Sequence, residues 1–330
     1  MERQSTDSRQ NHDGTPPPGP VWAVSDGRAG NARQAEALAR AVAGPGGEVR
    51  TLTLAPRAPW RWLAPRGLPG AGHAFGPAFA ALMASPPALA VGCGRQAALA
   101  TRRLRLQGTR VVQILDPRLD PGQWDLVVVP AHDPLRGPNV LTMRGSVHPV
   151  DDAWLAAARA AHPDLGRVPA PRLSVLVGGV DLAGFARFAD DVDALRSRDG
   201  ACVLATASRR TPADVVAAMR ARWGAEPGHV YAPGDAGANP YPGLLAWADA
   251  IACTADSVNM LSEACATQVP VWVGALPAAR ERPRAFVHAL LEDGRIGELG
   301  GAPPRHATPL RETARIASEI RTRLLTASGT

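Results

Sequence analysis

The run from Ile251 to Gly274 constrains the fold more than any other part of this chain. Two short apolar segments, IACTA and VPVWVG, flank the polar stretch DSVNMLSEA at residues 256–264. The pattern reads as strand, turn, helix, strand, the crossover that parallel pairing needs. Strands that are apolar throughout, rather than alternating, belong in parallel sheets covered on both faces.

The same alternation occupies most of the chain in two series. The first has strand candidates at Val21–Ser25, Val49–Leu54, Leu89–Gly92, Val111–Leu115, Leu126–Val129 and Asn139–Met143. Ala35, Leu38, Ala39 and Val42 mark a helix after the first strand, and a glycine loop is expected over Asp26–Asn31. A Pro/Trp/Arg-rich stretch fills 55–88, and 151–162 reads as a helix. In PDLGRVPAPR, residues 163–172, the prolines predict a linker without regular structure. The second series has strands at Leu173–Val177, Cys202–Ala205, His229–Tyr231, Ala250–Cys253 and Val271–Val273. Phe185, Phe188, Val192 and Leu195 mark one helix, and Thr211-Pro212-Ala213-Asp214 predicts a capping box opening another. Leu310, Ala314, Ala317, Ile320 and Leu324 give a last amphipathic helix. The expected fold class is α/β, with two Rossmann-like domains facing a cleft. The expected divisions are a disordered tail at 1–19, a first domain at 20–162, the linker at 163–172, a second domain at 173–307 and a terminal helix at 308–330.

At the amino end of the helix after Asp256, N–H groups lack intrahelical acceptors and the dipole favours negative charge. A phosphate is stabilised there, with Ser257 and Asn259 as donors and Glu263 within reach of a sugar's hydroxyls. That is a nucleotide seat. An ordinary capped helix packing on Val258, Leu261 and Cys265, with Glu263 in solvent, fits the same residues, and the segment alone leaves both open. Gly178 and Gly179 follow a buried strand and would admit a phosphate or acceptor closely. Ser208, Arg209 and Arg210 end the next strand, where a guanidinium offsets diphosphate charge without a metal; one of these arginines also fits a plain surface role. Asn239 and Tyr241 fit helix caps.

In the first series Asp26 stands at a strand end, where parallel sheets place their sites, and is the preferred general base. His132 and Asp133 in PAHDP are the second choice. A turn residue holding the DGRAG loop fits Asp26 equally. Gly27, Gly30 and Asn31 in that loop, and Gly94 and Arg95 at another strand end, carry the same two readings on the acceptor side.

The net charge of +6 comes from arginine alone, since the chain has no lysine. With the Ala, Gly and Pro richness this follows GC-rich coding, yet it still favours anionic partners such as nucleotide phosphates or an acidic membrane face. Nucleic acid is not expected, because aromatics are few and no reader motif occurs. The four cysteines stand singly in or near apolar stretches, as small buried hydrophobes do. No metal site is expected: Asp191-Val192-Asp193 lies inside a predicted helix, where neighbours two apart do not share a face. Trp60, Trp62, Arg57, Arg61 and Arg66 form an aromatic and basic cluster. It suits a membrane interface, and tryptophans filling gaps beneath a long loop suit it more simply. With no signal-peptide core and no run of about 20 apolar residues, the expected place is the cytoplasm, peripheral at the inner face of the membrane.

SDGRAGNARQAEALA, VVPAHDPLRGPNVL, VLVGG, TASRRTP and NPYPGLLAWADAIACTADSVNMLSEACATQVPV occur in that order and together resemble the mitochondrial-fission family of elongated-mitochondria type, across roughly residues 20–305. That family is similar to the GT-B glycosyltransferase fold, and in pattern to the murein transferase that adds N-acetylglucosamine to a lipid-linked acceptor. The resemblance implies a C-terminal domain holding a sugar nucleotide, with Glu263 on the ribose and Ser257 and Asn259 at the diphosphate. It implies no cofactor beyond that substrate, and a last helix (308–325) crossing back to the first domain. Where the transferase ends its first glycine loop in Gly-His, this chain has Gly30-Asn31, and a carboxamide is no base. The expected function is metal-independent sugar transfer from a nucleoside diphosphate to an envelope or lipid-linked acceptor. A non-catalytic recruitment protein that keeps the fold, and a sugar-nucleotide epimerase, are the alternatives.

Overall fold

All five residues of Val21–Ser25 are buried, so this strand (β1) needs cover on both faces, and its neighbours supply it. In the computed structural model, which describes residue 17 and residues 19–67, 70–225, 227–276 and 281–325, β1 is followed by α1 (Ala29–Ala43), β2 (Val49–Thr53), α2 (Trp60–Leu63), α3 (Gly76–Leu82), β3 (Leu89–Cys93), α4 (Arg95–Arg105), β4 (Arg110–Ile114), β5 (Leu126–Pro130) and β6 (Val140–Met143). The sheet order is β2-β1-β3-β4-β5-β6, and the pairs from β2 through β5 are parallel. Trp22, Val24, Ala90, Val111 and Val127 form one core with α4 residues Ala97 and Leu104. The disorder expected of the tail falls outside the described residues, apart from 17 and 19.

The chain continues through α5 (Asp152–Ala161), β7 (Arg172–Val177), α6 (Leu182–Asp199), β8 (Cys202–Ala207), α7 (Ala213–Trp223), β9 (His229–Tyr231), α8 (Tyr241–Trp247), β10 (Ala250–Thr254), α9 (Val258–Cys265), β11 (Val271–Gly274), α10 (Glu281–Asp293), β12 (Gly297–Glu298) and α11 (Thr313–Leu324). The second sheet has the order β12-β11-β10-β7-β8-β9, again with parallel pairs. Leu173, Val175 and Val177 of β7 face Phe185 and Phe188 of α6, while Leu176 faces the opposite core with Ile251 and Val273. Each such side chain contributes about 1.5–3 kcal/mol on full burial, so this strand is held from both sides.

The chain divides into two compact units. The first comprises Met1–Val129, Leu135–Leu141 and Thr313–Thr330, and the second Pro130–Pro134 with Thr142–Glu312. Helix α11 is thus a first-unit element, where Arg321 Nη1 donates to the Ala41 carbonyl at 2.7 Å at the end of α1. Ile316 and Ile320 are fully buried.

Three local expectations are corrected. Pro163–Arg167 is not irregular but winds a short 3₁₀ helix, with proline in its first turn and Leu165 buried. The expected capping box at Thr211 does not form. Pro212 takes the N-cap position of α7 without a side-chain cap, because the Thr211 hydroxyl is committed to the Val177 and Gly178 carbonyls at 3.0 and 2.8 Å. The loop expected over Asp26–Asn31 is shorter, since α1 begins at Ala29 and Gly30 and Asn31 lie in its first turn.

Candidate functional site

In each sheet the strand order reverses once, between β1 and β3 in the first and between β7 and β10 in the second. Connections leaving two such neighbours run to opposite faces, which opens a crevice beyond their carboxyl ends. Most of the candidate residues lie at these two places.

In the second unit, Gly178-Gly179 follows β7 and Asp256 follows β10. The Gly179 N–H donates to Asp256 Oδ2 at 2.8 Å, and the Gly178 N–H to Thr254 Oγ1 at 2.8 Å. Thr254 Oγ1 in turn donates to Asp256 Oδ1 at 2.8 Å, and Arg210 Nη2 pairs with Asp256 Oδ2 at 2.8 Å. A Cβ on Gly178 would stand 1.9 Å from Asp256 Oδ1, so only glycine leaves the carboxylate its place. Asp256 thereby occupies the donors that Gly179 and Arg210 offer an anion. Ser208 turns inward: its N–H donates to Thr211 Oγ1 at 2.9 Å and its Oγ accepts from Arg210 N at 3.1 Å. Arg209 is exposed beside it.

Helix α9 starts from Ser257, whose extended backbone (φ −125°, ψ 102°) and side chain, accepting from Met260 N at 3.4 Å, make it the N-cap. Ser257, Val258 and Asn259 are half-buried, so the amino end of the helix is not sealed. Glu263 differs from the solvated side chain that an ordinary capped helix would carry. It is 4% exposed, and Oε2 accepts from the Tyr241 hydroxyl at 2.5 Å. Tyr241 opens α8, where Asn239 Oδ1 accepts from its N–H at 3.0 Å. Leu261 and Cys265 are buried on the same helix. Burial pushes the Cys265 thiol up to about 12, against the pull of Arg295 and Arg144.

In the first unit, Asp26 Oδ1 accepts from Asn31 Nδ2 at 2.9 Å and from the Arg28 N–H at 3.2 Å. Asn31 also accepts from Cys93 Sγ at 3.7 Å and crowds Gly94, where a Cβ would meet Nδ2 at 2.4 Å. Asn31 thus orients the carboxylate from the position where a base was sought. Gly27 and Gly94 have φ of +76° and +91°, conformations that favour glycine. Gly94 leads into α4, whose first residue, Arg95, is exposed. Cys93 is fully buried, and burial followed by the nearby Asp26 charge raises its thiol pKa well above the usual range. His132 and Asp133 fall in a segment grouped with the second unit, apart from the Asp26 cluster. Asp133 is buried, and the His132 ring lies 6.1 Å from that of Phe286. Burial lowers the His132 pKa, and the Asp133 charge partly opposes this.

Asp193 on α6 is bound to Arg222 Nε at 2.6 Å and Trp223 Nε1 at 2.9 Å. Among the described residues no group of three or more His, Cys, Asp or Glu is placed to hold a metal ion. Thr254 and Asp256 are participants that sequence reasoning left without a role, and Tyr241, expected only as a helix cap, also reaches Glu263. The one available signal was position, because Thr254 and Asp256 sit at a strand end within the motif already singled out.

The fold is shared with several solved structures. UDP-GlcNAc 2-epimerase from Neisseria meningitidis, solved bound to UDP-GlcNAc, superposes with a TM-score of 0.57 at 13% identity, covering 93% of this chain and 99% of that one. UDP-GlcNAc 2-epimerase from Methanocaldococcus jannaschii gives 0.54 at 13%, covering 94% of each chain. MurG from Acinetobacter baumannii gives 0.50 at 15%, covering 93% and 92%. At these identities the likeness establishes a GT-B-like fold and no more. In sequence the chain is similar to the mitochondrial fission protein ELM1 of Arabidopsis thaliana, 31% identical over 277 residues. That match covers 72% of this chain and 64% of the plant protein, so the chain spans under two thirds of its relative's length. The sequence profile described as Mitochondrial fission ELM1 matches residues 29–324, and the chain belongs to that family.

Proposed function

We propose that the second unit binds a nucleoside-diphosphate sugar and that the protein transfers the sugar to an envelope or lipid-linked acceptor. The observation that carries this reading is the buried Glu263 carboxylate, held by Tyr241 on a helix whose amino end stays half-open at a switch point. The diphosphate lies against the first-turn N–H groups of α9, with Ser257 and Asn259 as side-chain donors. Glu263 accepts from the ribose hydroxyls. Arg209, exposed at the end of β8, supplies positive charge to the leaving group, and Gly178, Gly179, Ser208 and Arg210 join it only as the diphosphate displaces Asp256 and Thr211 from their present bonds. The acceptor oxygen attacks the anomeric carbon as the bond to the diphosphate breaks, and the electron pair leaves with the phosphate oxygen. The acceptor's proton passes to Asp26, with His132 or Asp133 as the second choice, while Gly27, Gly30, Asn31, Gly94 and Arg95 shape the acceptor side. A cytoplasmic protein working at the inner face of the membrane follows from this reading.

One observation favours a second reading, recruitment of a partner without catalysis: Asn31 clamps Asp26 and cannot itself move a proton. Epimerisation of the donor is a third, and it alone would turn over a sugar nucleotide with no acceptor present.

Calorimetric titration with UDP, GDP and their sugars tests the proposal. Saturable binding by the wild type, weakened about tenfold or more in Glu263→Gln, is expected. Absence of binding to every nucleotide, or equal binding by the variant, would remove it.

A further inference from the structure

Between Val49 and Leu115 the chain carries nine arginines and no aspartate or glutamate. Elsewhere 27 arginines face 30 acidic residues, so this one segment accounts for the whole positive balance. Of the four large apolar side chains that stand exposed among the described residues, three belong to it: Trp62 at 71%, Leu63 at 41% and Leu106 at 71%. Such side chains and guanidinium groups together suit a surface that is apolar inside and anionic at its face, although Arg105 at the far end of the segment is paired with Asp125.

The turn that presents Trp62 is firmly built. Trp60 packs on Ala64, Ala74 and Leu99, so it is the tryptophan that fills a gap beneath the loop. The Arg61 N–H donates to the Arg57 carbonyl at 2.9 Å, and Ala64 N to Trp60 O at 2.8 Å. Arg102 Nη1 of α4 holds the Pro65 carbonyl at 2.7 Å. With Trp60 turned inward, Trp62 and Leu63 are turned outward on the same short helix. Arg57, Arg61 and Arg66 are exposed around them, and no carboxylate is paired with any of the three among the described residues.

We propose that α2 and its flanks dock on an anionic lipid bilayer, Trp62 and Leu63 entering the headgroup boundary and Arg57, Arg61 and Arg66 meeting lipid phosphates. Tryptophan is favoured at that depth because its ring is apolar and its N–H can still find water or headgroup oxygen. Basic side chains add attraction that falls off within a Debye length. Binding is peripheral, as no helix among the described residues is long and apolar enough to cross a membrane. The inference does not rest on the nucleotide reading.

The full chain should co-sediment with phosphatidylcholine vesicles containing phosphatidylglycerol, and much less with phosphatidylcholine alone or at high salt. Trp62→Ser with Leu63→Ser should weaken binding about tenfold or more. Arg57→Gln, Arg61→Gln and Arg66→Gln should each weaken it roughly fivefold. All of these side chains are exposed, so the variants should keep the wild-type circular dichroism spectrum. Glu263→Gln should bind vesicles like the wild type, which separates this result from the nucleotide experiment. Failure to bind anionic vesicles, or undiminished binding by both sets of variants, would overturn the proposal. So would a wild-type dimer that the Trp62 variant dissociates without any vesicle binding, or binding to duplex DNA in place of vesicles.

Discussion

The Tyr241 hydroxyl donates to Glu263 Oε2 across 2.5 Å, joining the first residue of α8 to the sixth residue of α9. Both side chains are buried, so the bond fixes where the carboxylate can point. An acidic group in that position is costly unless its oxygens are satisfied, and one that is held in place meets an incoming hydroxyl without reorganising.

Tyr241→Phe should therefore cost about 1–3 kcal/mol of stability, since it deletes one donor to a buried carboxylate. It should also weaken nucleotide-sugar binding relative to wild type. Denaturant unfolding and titration calorimetry on the same preparations measure the two effects. Unchanged affinity in a variant of lowered stability would limit Tyr241 to a structural role.

Gly178→Ala should destabilise by about 1–3 kcal/mol, because the new methyl group and Asp256 Oδ1 cannot share a space only 1.9 Å across. Asp256→Ala removes the obstruction. The double variant should then be more stable than the sum of the single losses indicates, by roughly 0.5 kcal/mol or more. Urea denaturation of the four proteins closes the cycle, and simple additivity would mean that the two positions do not compete.

His132 has a pKa below 6.5 in the folded protein because burial disfavours its charged form. The unfolded chain takes up the proton first as pH falls. The stability contributed by neutral His132 is thus present above about pH 6.5 and is lost as pH drops toward the lowered folded value. His132→Gln should flatten the stability profile between about pH 7.5 and 5.5. Imidazole resonances followed by NMR should titrate below 6.5 for this residue; a midpoint above that value would contradict the sign.

Much of the architecture was legible because the strands are continuous apolar runs. Val21–Ser25, Leu126–Val129 and Val271–Val273 cannot be half-solvated, and the helices between them leave parallel pairing as the solution. Turn-level detail was less legible. Thr211 and Asp214 have the spacing of a capping box, yet the Thr211 hydroxyl serves two carbonyls beyond β7. Pro163 suggested a break, and its fixed φ instead starts a 3₁₀ turn. Site contacts were least legible, since nothing in a linear pattern says that Tyr241 reaches Glu263 or that Asp256 fills the donors beside Gly178-Gly179. The sequence leaves Arg210 open as a diphosphate ligand or a surface residue, and in the fold it is paired with Asp256. Asn31, set aside because it is not a base, proves to be the residue that orients Asp26.

Hydrogen–deuterium exchange with and without a UDP-sugar bears most directly on the claim that the β7/β10 switch point is a diphosphate seat. Slowed exchange is expected across Asp256–Met260, at the half-buried amino end of α9 where the ligand would lie, while the Gly178 and Gly179 amides already donate to Thr254 and Asp256. In Glu263→Gln the same protection should need about tenfold more ligand. Protection confined to other segments, or no protection at saturating ligand, would contradict the account.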